Sequence, residues 1–197
     1  LPVHETAGSM VVDIGGGTTD VAVISLGGIV TARSVRVGGD EIDEAIVAHI
    51  KSEYSLLLGE RSAEDIKISA GSAFPLTTET TERIRGRDLV TGLPRTVLVS
   101  SVEVRRAIEG PVQRISELVR SVLDVCPPEL AGDILERGVT LTGGGALLRG
   151  LDERLRHELG VPVHVATDPL RAVVRGAGRC VEEFASLEQV LVDHGRP

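Results

Sequence analysis

The 197-residue chain carries 29 acidic and 21 basic side chains, a formal net charge of −8, and is 42% hydrophobic. That apolar content suffices for one packed core, or a core with a small inserted lobe, and excludes a disordered chain. Aromatic residues at 2% leave no platforms for stacking bases, and no block of clustered Lys and Arg is present, so nucleic acid is excluded as a partner.

In chain order, residues 1–9 read as a loop. Met10-Val11-Val12-Asp13-Ile14 reads as a strand, Gly15-Gly16-Gly17-Thr18-Thr19 as a loop, and Asp20-Val21-Ala22-Val23-Ile24-Ser25 as a second strand rich in β-branched residues. Gly27-Gly28 signals a hairpin leading into a third strand over residues 29–37. Gly38-Gly39 ends the sheet, and Asp40 is a candidate helix cap. Ile42, Ile46 and Ile50 predict an amphipathic helix over residues 40–54. Ser62-Ala63-Glu64-Asp65 reads as a capping box that opens a short helix reaching Gly71. Residues 74–95 mix Pro, Gly and charges and predict small strands and turns.

Ser100-Ser101-Val102-Glu103 is a second capping box. Behind it Ile108, Val112, Ile115, Val119 and Val122 predict one long helix that stops before Pro127-Pro128. A short helix is expected over residues 129–136, and a strand over residues 139–142. Gly143-Gly144-Gly145 then leads into a helix striped by Leu148, Leu151, Leu155 and Leu159. A last strand is expected over residues 161–166. Asp168 and Pro169 read as the cap and first position of a final helix, whose Gly176-Ala177-Gly178 would allow close packing. The order predicts an α/β fold, a mixed sheet with covering helices, interrupted by an α+β insertion. Cys126 and Cys180 lie far apart and read as reduced thiols, and the five histidines show no ligand spacing.

Three segments carry chemistry. Asp13 closes an otherwise apolar strand, so it must lie at the tip or meet a cation. The glycines after it let backbone N–H groups approach an anion, and Thr18 and Thr19 add hydroxyls. A magnesium-bound phosphate chain needs these groups: amide donors for its oxygens and a carboxylate for the metal's water shell. The chain contains no Gly-Lys pair for a Walker loop, and Val21 continues as strand where a dinucleotide fingerprint would open a helix. A phosphate-binding hairpin remains, beside the plainer reading of a tight turn. Thr142-Gly143-Gly144-Gly145-Ala146-Leu147 joins strand to helix and would aim free N–H groups at a ligand, or serve only as a turn. Glu64 and Lys67 lie one helical turn apart, where a solvated ion pair is the simplest reading.

Together, and in this order, these segments resemble the actin-like ATPase superfamily. Asp13-Ile14-Gly15-Gly16-Gly17-Thr18-Thr19, Gly59-Glu60-Arg61, Pro127-Pro128-Glu129-Leu130, Leu141-Thr142-Gly143-Gly144-Gly145, Leu148-Arg149-Gly150-Leu151-Asp152 and Gly176-Ala177-Gly178 narrow the resemblance to the carboxy-terminal half of MreB-type bacterial actins. The resemblance implies an actin-like (RNase H-like) fold, with residues 1–38 and 100–197 as an inner lobe and residues 39–99 as an inserted outer lobe. It implies ATP and Mg²⁺ as ligands. Asp13 would hold Mg²⁺ through water. Gly15, Gly16, Gly17, Thr18 and Thr19 would hold phosphate. Glu64 and Lys67 would lie over the ribose and adenine side, and Gly144, Gly145 and Ala146 would border adenine, with Asp65, Ile66 and Gly143 also in the nucleotide site. Asp20 stands where the family usually carries Glu, and would place the attacking water with a shorter reach.

The family's first phosphate loop and water-activating acid are expected upstream of this sequence, so turnover by this chain alone is expected to be slow or absent. The resemblance further implies self-association into cytoplasmic, ATP-dependent filaments that control cell shape. It implies cell-wall synthesis or morphogenesis proteins as partners, and membrane contact only through the upstream half. Two other functions fit the same residues. One is a shortened paralogue acting as an interaction module, and the other a small-molecule kinase of the superfamily.

Overall fold

The computed structural model describes residues 5–182. The predicted opening loop therefore lies partly outside the described residues. β1 (Ser9–Ile14) buries Met10, Val12 and Ile14, and β2 (Thr19–Ser25) pairs with it antiparallel. Leu26 and Gly27, both with positive φ, make the tight turn into β3 (Gly28–Val35). Paired positive φ values match the right-handed twist of the flanking strands. β7 (Val139–Thr142) and β8 (Val163–Val165) add to the other side of β1 in parallel, giving the order β3-β2-β1-β7-β8. The sheet is thus mixed, as the order of elements predicted.

α1 (Gly39–Tyr54) buries Ile42, Ile46 and Ile50, the stripe expected from their four-residue spacing. Its cap is Gly38 rather than Asp40, because the Gly38 amide itself donates to the Glu41 carboxylate at 2.7 Å. α2 (Glu60–Ala70) starts behind Gly59, earlier than the predicted box, so Ser62 and Glu64 lie inside its first turns. The predicted small strands form a second sheet. β5 (Thr81–Asp88) lies between β6 (Pro94–Ser100) and the two-residue β4 (Leu56–Leu57), which is too short to leave a sequence pattern.

The long helix predicted behind Ser100 is broken in two. α3 (Ser101–Ala107) ends at Ile108 (φ −89°, ψ 2°), and α4 (Glu109–Leu123) follows. Pro111 has no N–H to offer the Ala107 carbonyl, and its ring crowds that oxygen. α4 keeps the expected stripe, with Val112, Ile115, Val119 and Val122 all 0% exposed against the five-stranded sheet. α5 (Pro128–Arg137) packs on β1, and α6 (Leu151–Leu159) on β8. Gly143 leads into a single 3-10 turn (Gly144–Leu147) rather than into α6 directly, which leaves Leu148 outside the helix. A second 3-10 turn (Pro169–Arg171) precedes α7 (Ala172–Glu182). Asp168 makes no capping bond there and pairs with Arg175 instead. α7 buries none of its residues, and a Cβ at Gly176 or Gly178 would meet nothing within 4 Å among the described residues, so the expected close packing is not seen there.

The box at Ser100 forms as predicted. Ser100 Oγ accepts from the Glu103 amide at 3.3 Å, and Glu103 accepts from the Ser100 amide at 2.9 Å. The free Glu103 oxygen accepts from the Tyr54 hydroxyl at 2.6 Å, tying the end of α1 to the start of α3. That bond pushes the Tyr54 hydroxyl up to about 12 and holds Glu103 below the ordinary glutamate range. A carboxyl lowered by folding adds stability above its unfolded pKa and loses it as the pH falls through the folded one. Tyr54→Phe should therefore cost up to about 1 kcal/mol at neutral pH. In denaturant titrations the gap between variant and parent should narrow as the pH falls below the ordinary glutamate range.

Candidate nucleotide cleft

The hairpin between β1 and β2 is closed by the Gly15 amide on the Thr18 carbonyl at 2.8 Å. Its own carbonyls point at α1. The Gly39 amide donates to Gly15 O at 3.0 Å, and the Asp40 amide to Gly16 O at 2.8 Å. A side chain at Gly38 would run into the Gly16 carbonyl, so this approach of backbone to backbone requires glycine. Two first-turn amides of α1 are thereby satisfied. The amides of Gly16 and Gly17 have no acceptor among the described residues.

The second glycine loop sits beside the first because β7 runs parallel to β1, with Thr142 level with Asp13. Gly143 (φ 81°) lies against the Ile14 backbone and the Asp13 carboxylate, and Gly145 against the Ile14 side chain. The Gly143 amide and the Thr142 hydroxyl both donate to the Pro169 carbonyl, at 3.0 and 3.2 Å. α2 forms the third wall. Lys67 Nζ pairs with Asp43 Oδ2 at 2.7 Å and donates to the Gly39 carbonyl at 3.1 Å, which clamps α2 onto α1. Arg149, just beyond the second loop, donates to the Ser69 and Gly71 carbonyls at the end of α2.

These walls enclose a cleft of about 930 Å³, at the upper end of the range for small-molecule sites. Of the residues singled out in the sequence, Gly15, Gly16, Glu64, Lys67, Gly144 and Gly145 line it. The others do not. Thr19 is fully buried with its hydroxyl on the Val37 carbonyl, and Ile66 and Ala146 face the core. Asp65 is exposed outside the lining, as are Gly17 and Thr18 at the hairpin tip, where the Thr18 hydroxyl donates to Asp20 at 3.1 Å. Gly143 supports the second loop from behind. Lys67 is drawn to Asp43, 24 positions earlier, and not to Glu64.

The lining also holds residues not assigned to the site from sequence. Asp40, Asp43, Glu60, Arg61 and Arg149 add charge. Ile68, Leu147 and Leu170 add an apolar border and are 69%, 54% and 68% exposed. Ile68 falls out of phase with the buried positions of α2, a signal that could have marked it.

Asp13 and Asp20 face each other across β1 and β2. Burial, and then the charge of Asp20, push the Asp13 carboxyl up. Two carboxylates held together favour a cation between or beside them. Among the described residues, no group of three or more His, Cys, Asp or Glu is placed to hold a metal ion by itself. The donor set therefore fits a hard divalent ion that keeps most of its water and takes oxygens from a ligand, not one caged by protein.

Known proteins are similar to this chain in sequence and in fold. Residues 1–189 match the profile of a family described as MreB/Mbl protein. The chain is 53% identical over 182 residues to the cell shape-determining protein MreB of Escherichia coli (strain K12), covering 92% of this chain and 52% of that protein. It is 50% identical over 187 residues to the cell shape-determining protein Mbl of Bacillus subtilis (strain 168), covering 95% and 56%. The chain thus spans about half the length of the curated relatives it matches. Among solved structures, MreB5 of Spiroplasma citri bound to ADP superposes with a TM-score of 0.92 at 38% identity, over 96% of this chain and 57% of that one. A double helical filament of MamK matches with a TM-score of 0.75 at 26% identity, over 88% and 54%.

Burial, helped by Glu64 and Asp40, pushes the Asp43 carboxyl up against the pull of Lys67. Removing the cation should expose that cost. Lys67→Met should destabilise the chain by about 1.5 kcal/mol, less than for a fully buried pair. A carboxyl raised by folding costs its full amount above its folded pKa and nothing below its unfolded one, so the deficit should shrink as the pH falls through the carboxylate range. Urea titrations from neutral to acid pH check both size and sign.

Proposed function

Because the chain belongs to the MreB/Mbl family, we propose that it forms one side of the nucleotide site of an actin-like, cell shape-determining filament protein. The ligand is an adenine nucleotide with Mg²⁺. The observation that carries this reading is the convergence of both glycine loops and of Glu64 and Lys67 on one cleft, in a fold whose solved relative is bound to ADP.

The free amides of Gly16 and Gly17 receive phosphate oxygens, with Thr18 at the rim. Gly144 and Gly145 present bare backbone to the flat base, and Ile68, Leu147 and Leu170 supply its apolar contacts. Glu64 lies along the ribose, and Lys67, held by Asp43, fixes that wall. Asp13, with Asp20 beside it, holds the metal through water, and bound Mg²⁺ neutralises phosphate charge. Residues 1–38 and 100–197 act as the inner lobe, and residues 39–99 as the outer one. The whole protein assembles with copies of itself in the cytoplasm and works with proteins of cell-wall synthesis. Neither glycine loop contains a Lys or Arg to stabilise charge developing in transfer. The chain alone therefore binds nucleotide without fast turnover.

Two variants test the site. The nearest group to a Cβ at Gly16 would be the Asp40 carboxylate, at an ordinary contact distance of 3.5 Å, and the φ of Gly16 is unexceptional. Gly16→Val should thus keep the melting temperature while weakening ADP binding by at least about tenfold, because the side chain blocks the approach of phosphate to the loop amides. Calorimetric titration of the chain with ADP checks this, and binding equal to the parent's would remove the hairpin from the site. Asp13→Asn should slightly stabilise the free chain, by less than about 1 kcal/mol, because a raised carboxyl is relieved of its charge. The same change should abolish the gain in affinity that Mg²⁺ gives the parent. For filament formation, the measure is ATP-dependent pelleting of the protein isolated from its own cells; failure to pellet at any salt concentration sinks that part of the proposal.

A further inference from the structure

The cleft read above as a phosphate site does not have a basic lining. Asp40, Asp43, Glu60 and Glu64 outnumber its three bases. Two of those bases are already engaged. Lys67 is held by Asp43 and the Gly39 carbonyl, and Arg149 by the Ser69 and Gly71 carbonyls.

Asp40 is the acid that reaches the phosphate loop. A Cβ at Gly16 would lie 3.5 and 3.6 Å from its two carboxylate oxygens, and one at Gly17 would lie 3.8 Å from Oδ2. The carboxylate therefore overhangs the two glycines whose amides have no acceptor among the described residues. Asp40 is exposed, and no ion pair neutralises it among the described residues. The cap of α1 is made by Gly38 and Glu41 without it.

A helix start ordinarily attracts phosphate through free amides and its dipole. At α1 the Gly39 and Asp40 amides are spent on the Gly15 and Gly16 carbonyls, and the Asp40 side chain adds a negative charge above them. Its field reaches along the wall, since burial, then Glu64 and then Asp40, push the Asp43 carboxyl up. The effect of such a carboxylate on a ligand depends on the charge that the ligand brings. Bare diphosphate meets it with full charge and is repelled, whereas diphosphate paired with a divalent ion brings far less. Selection of this kind comes from a penalty on the wrong ligand.

Given the nucleotide reading of the cleft, on which this rests, we propose that Asp40 is a specificity residue: its carboxylate over the phosphate loop rejects metal-free nucleoside diphosphate in favour of the metal-bound form. The penalty is lifted only with the ion in place, and Asp13 is the residue read above as placing it. The two acids thus act on one ratio from opposite sides. Asp13 raises the affinity when metal is present, and Asp40 lowers it when metal is absent. One carboxylate against phosphate at a few ångströms, in a cleft open to water, is worth about tenfold in affinity. The penalty shrinks as salt is raised, because the screening length falls to about 3 Å at 1 M.

The test is calorimetric titration of the 197-residue chain with ADP, in EDTA and in excess Mg²⁺. Asp40→Asn should bind ADP in EDTA about tenfold more tightly than the parent, and ADP with Mg²⁺ within about twofold of it. Asp40→Glu keeps the charge and should keep most of the parent's preference for Mg²⁺. Glu44→Gln removes the same charge from an exposed position of α1 outside the lining, and should match the parent in both buffers. A change in the melting temperature of Asp40→Asn with an unaltered ratio of the two affinities makes Asp40 merely structural and overturns the proposal. Loss of affinity with Mg²⁺ alone makes it a second metal-holding acid, which also overturns it. If ADP binds the parent in neither buffer, the nucleotide reading falls and the proposal with it. If ADP binds and Asp40→Asn does not narrow the gap between the buffers, the proposal falls alone.

Discussion

The cleft depends on backbone meeting backbone. Two amides at the start of α1 donate to two carbonyls of the β1–β2 hairpin, and Gly38 lets them come close enough. The arrangement fixes the hairpin's polarity. With its carbonyls turned to the helix, its amides are left for an anion. No charged side chain is needed to make the hairpin attractive to phosphate, because the helix start has already claimed the oxygens that would repel it. The same close approach recurs at Gly143, packed on the end of β1, so the central strand positions both loops at once.

Around that frame the charges are arranged in tension. Asp13 and Asp20 are held together without a counter-ion among the described residues, and burial, then the charge of Asp20, raises the Asp13 carboxyl. Asp43 is partly buried and paired with Lys67, which offsets part of the cost of burial. The first pair has no cation of its own among the described residues, whereas the second brings one. One therefore reads as a site and the other as a brace.

Much of this was legible from residue spacing. The isoleucines of α1 repeat every four positions and meet one core. The two glycine triplets follow strands at the level where parallel β1 and β7 end together. What escaped notice involved partners distant in sequence or the absence of an atom. Lys67 was expected to act near Glu64, its neighbour on the helix, but finds Asp43 on another element. Thr19 was read as a phosphate ligand because it follows the glycines, yet strand alternation turns it into the core. Asp40 had the chemistry of a cap, but the preceding glycine supplies the cap through its amide. β4 is two residues long, below the length at which alternation can be seen.

One missing hydrogen has a wide reach. Had residue 111 carried an amide proton, α3 and α4 could have run on as a single rod of about 35 Å. Such a rod would have obeyed the direction of only one sheet. With proline there, α3 stays with β6 and α2, α4 lies along β2 and β3, and buried Ile108 is the elbow between them. The two sheets are thus joined like forearm and upper arm, each helix cut to the length of the surface it serves.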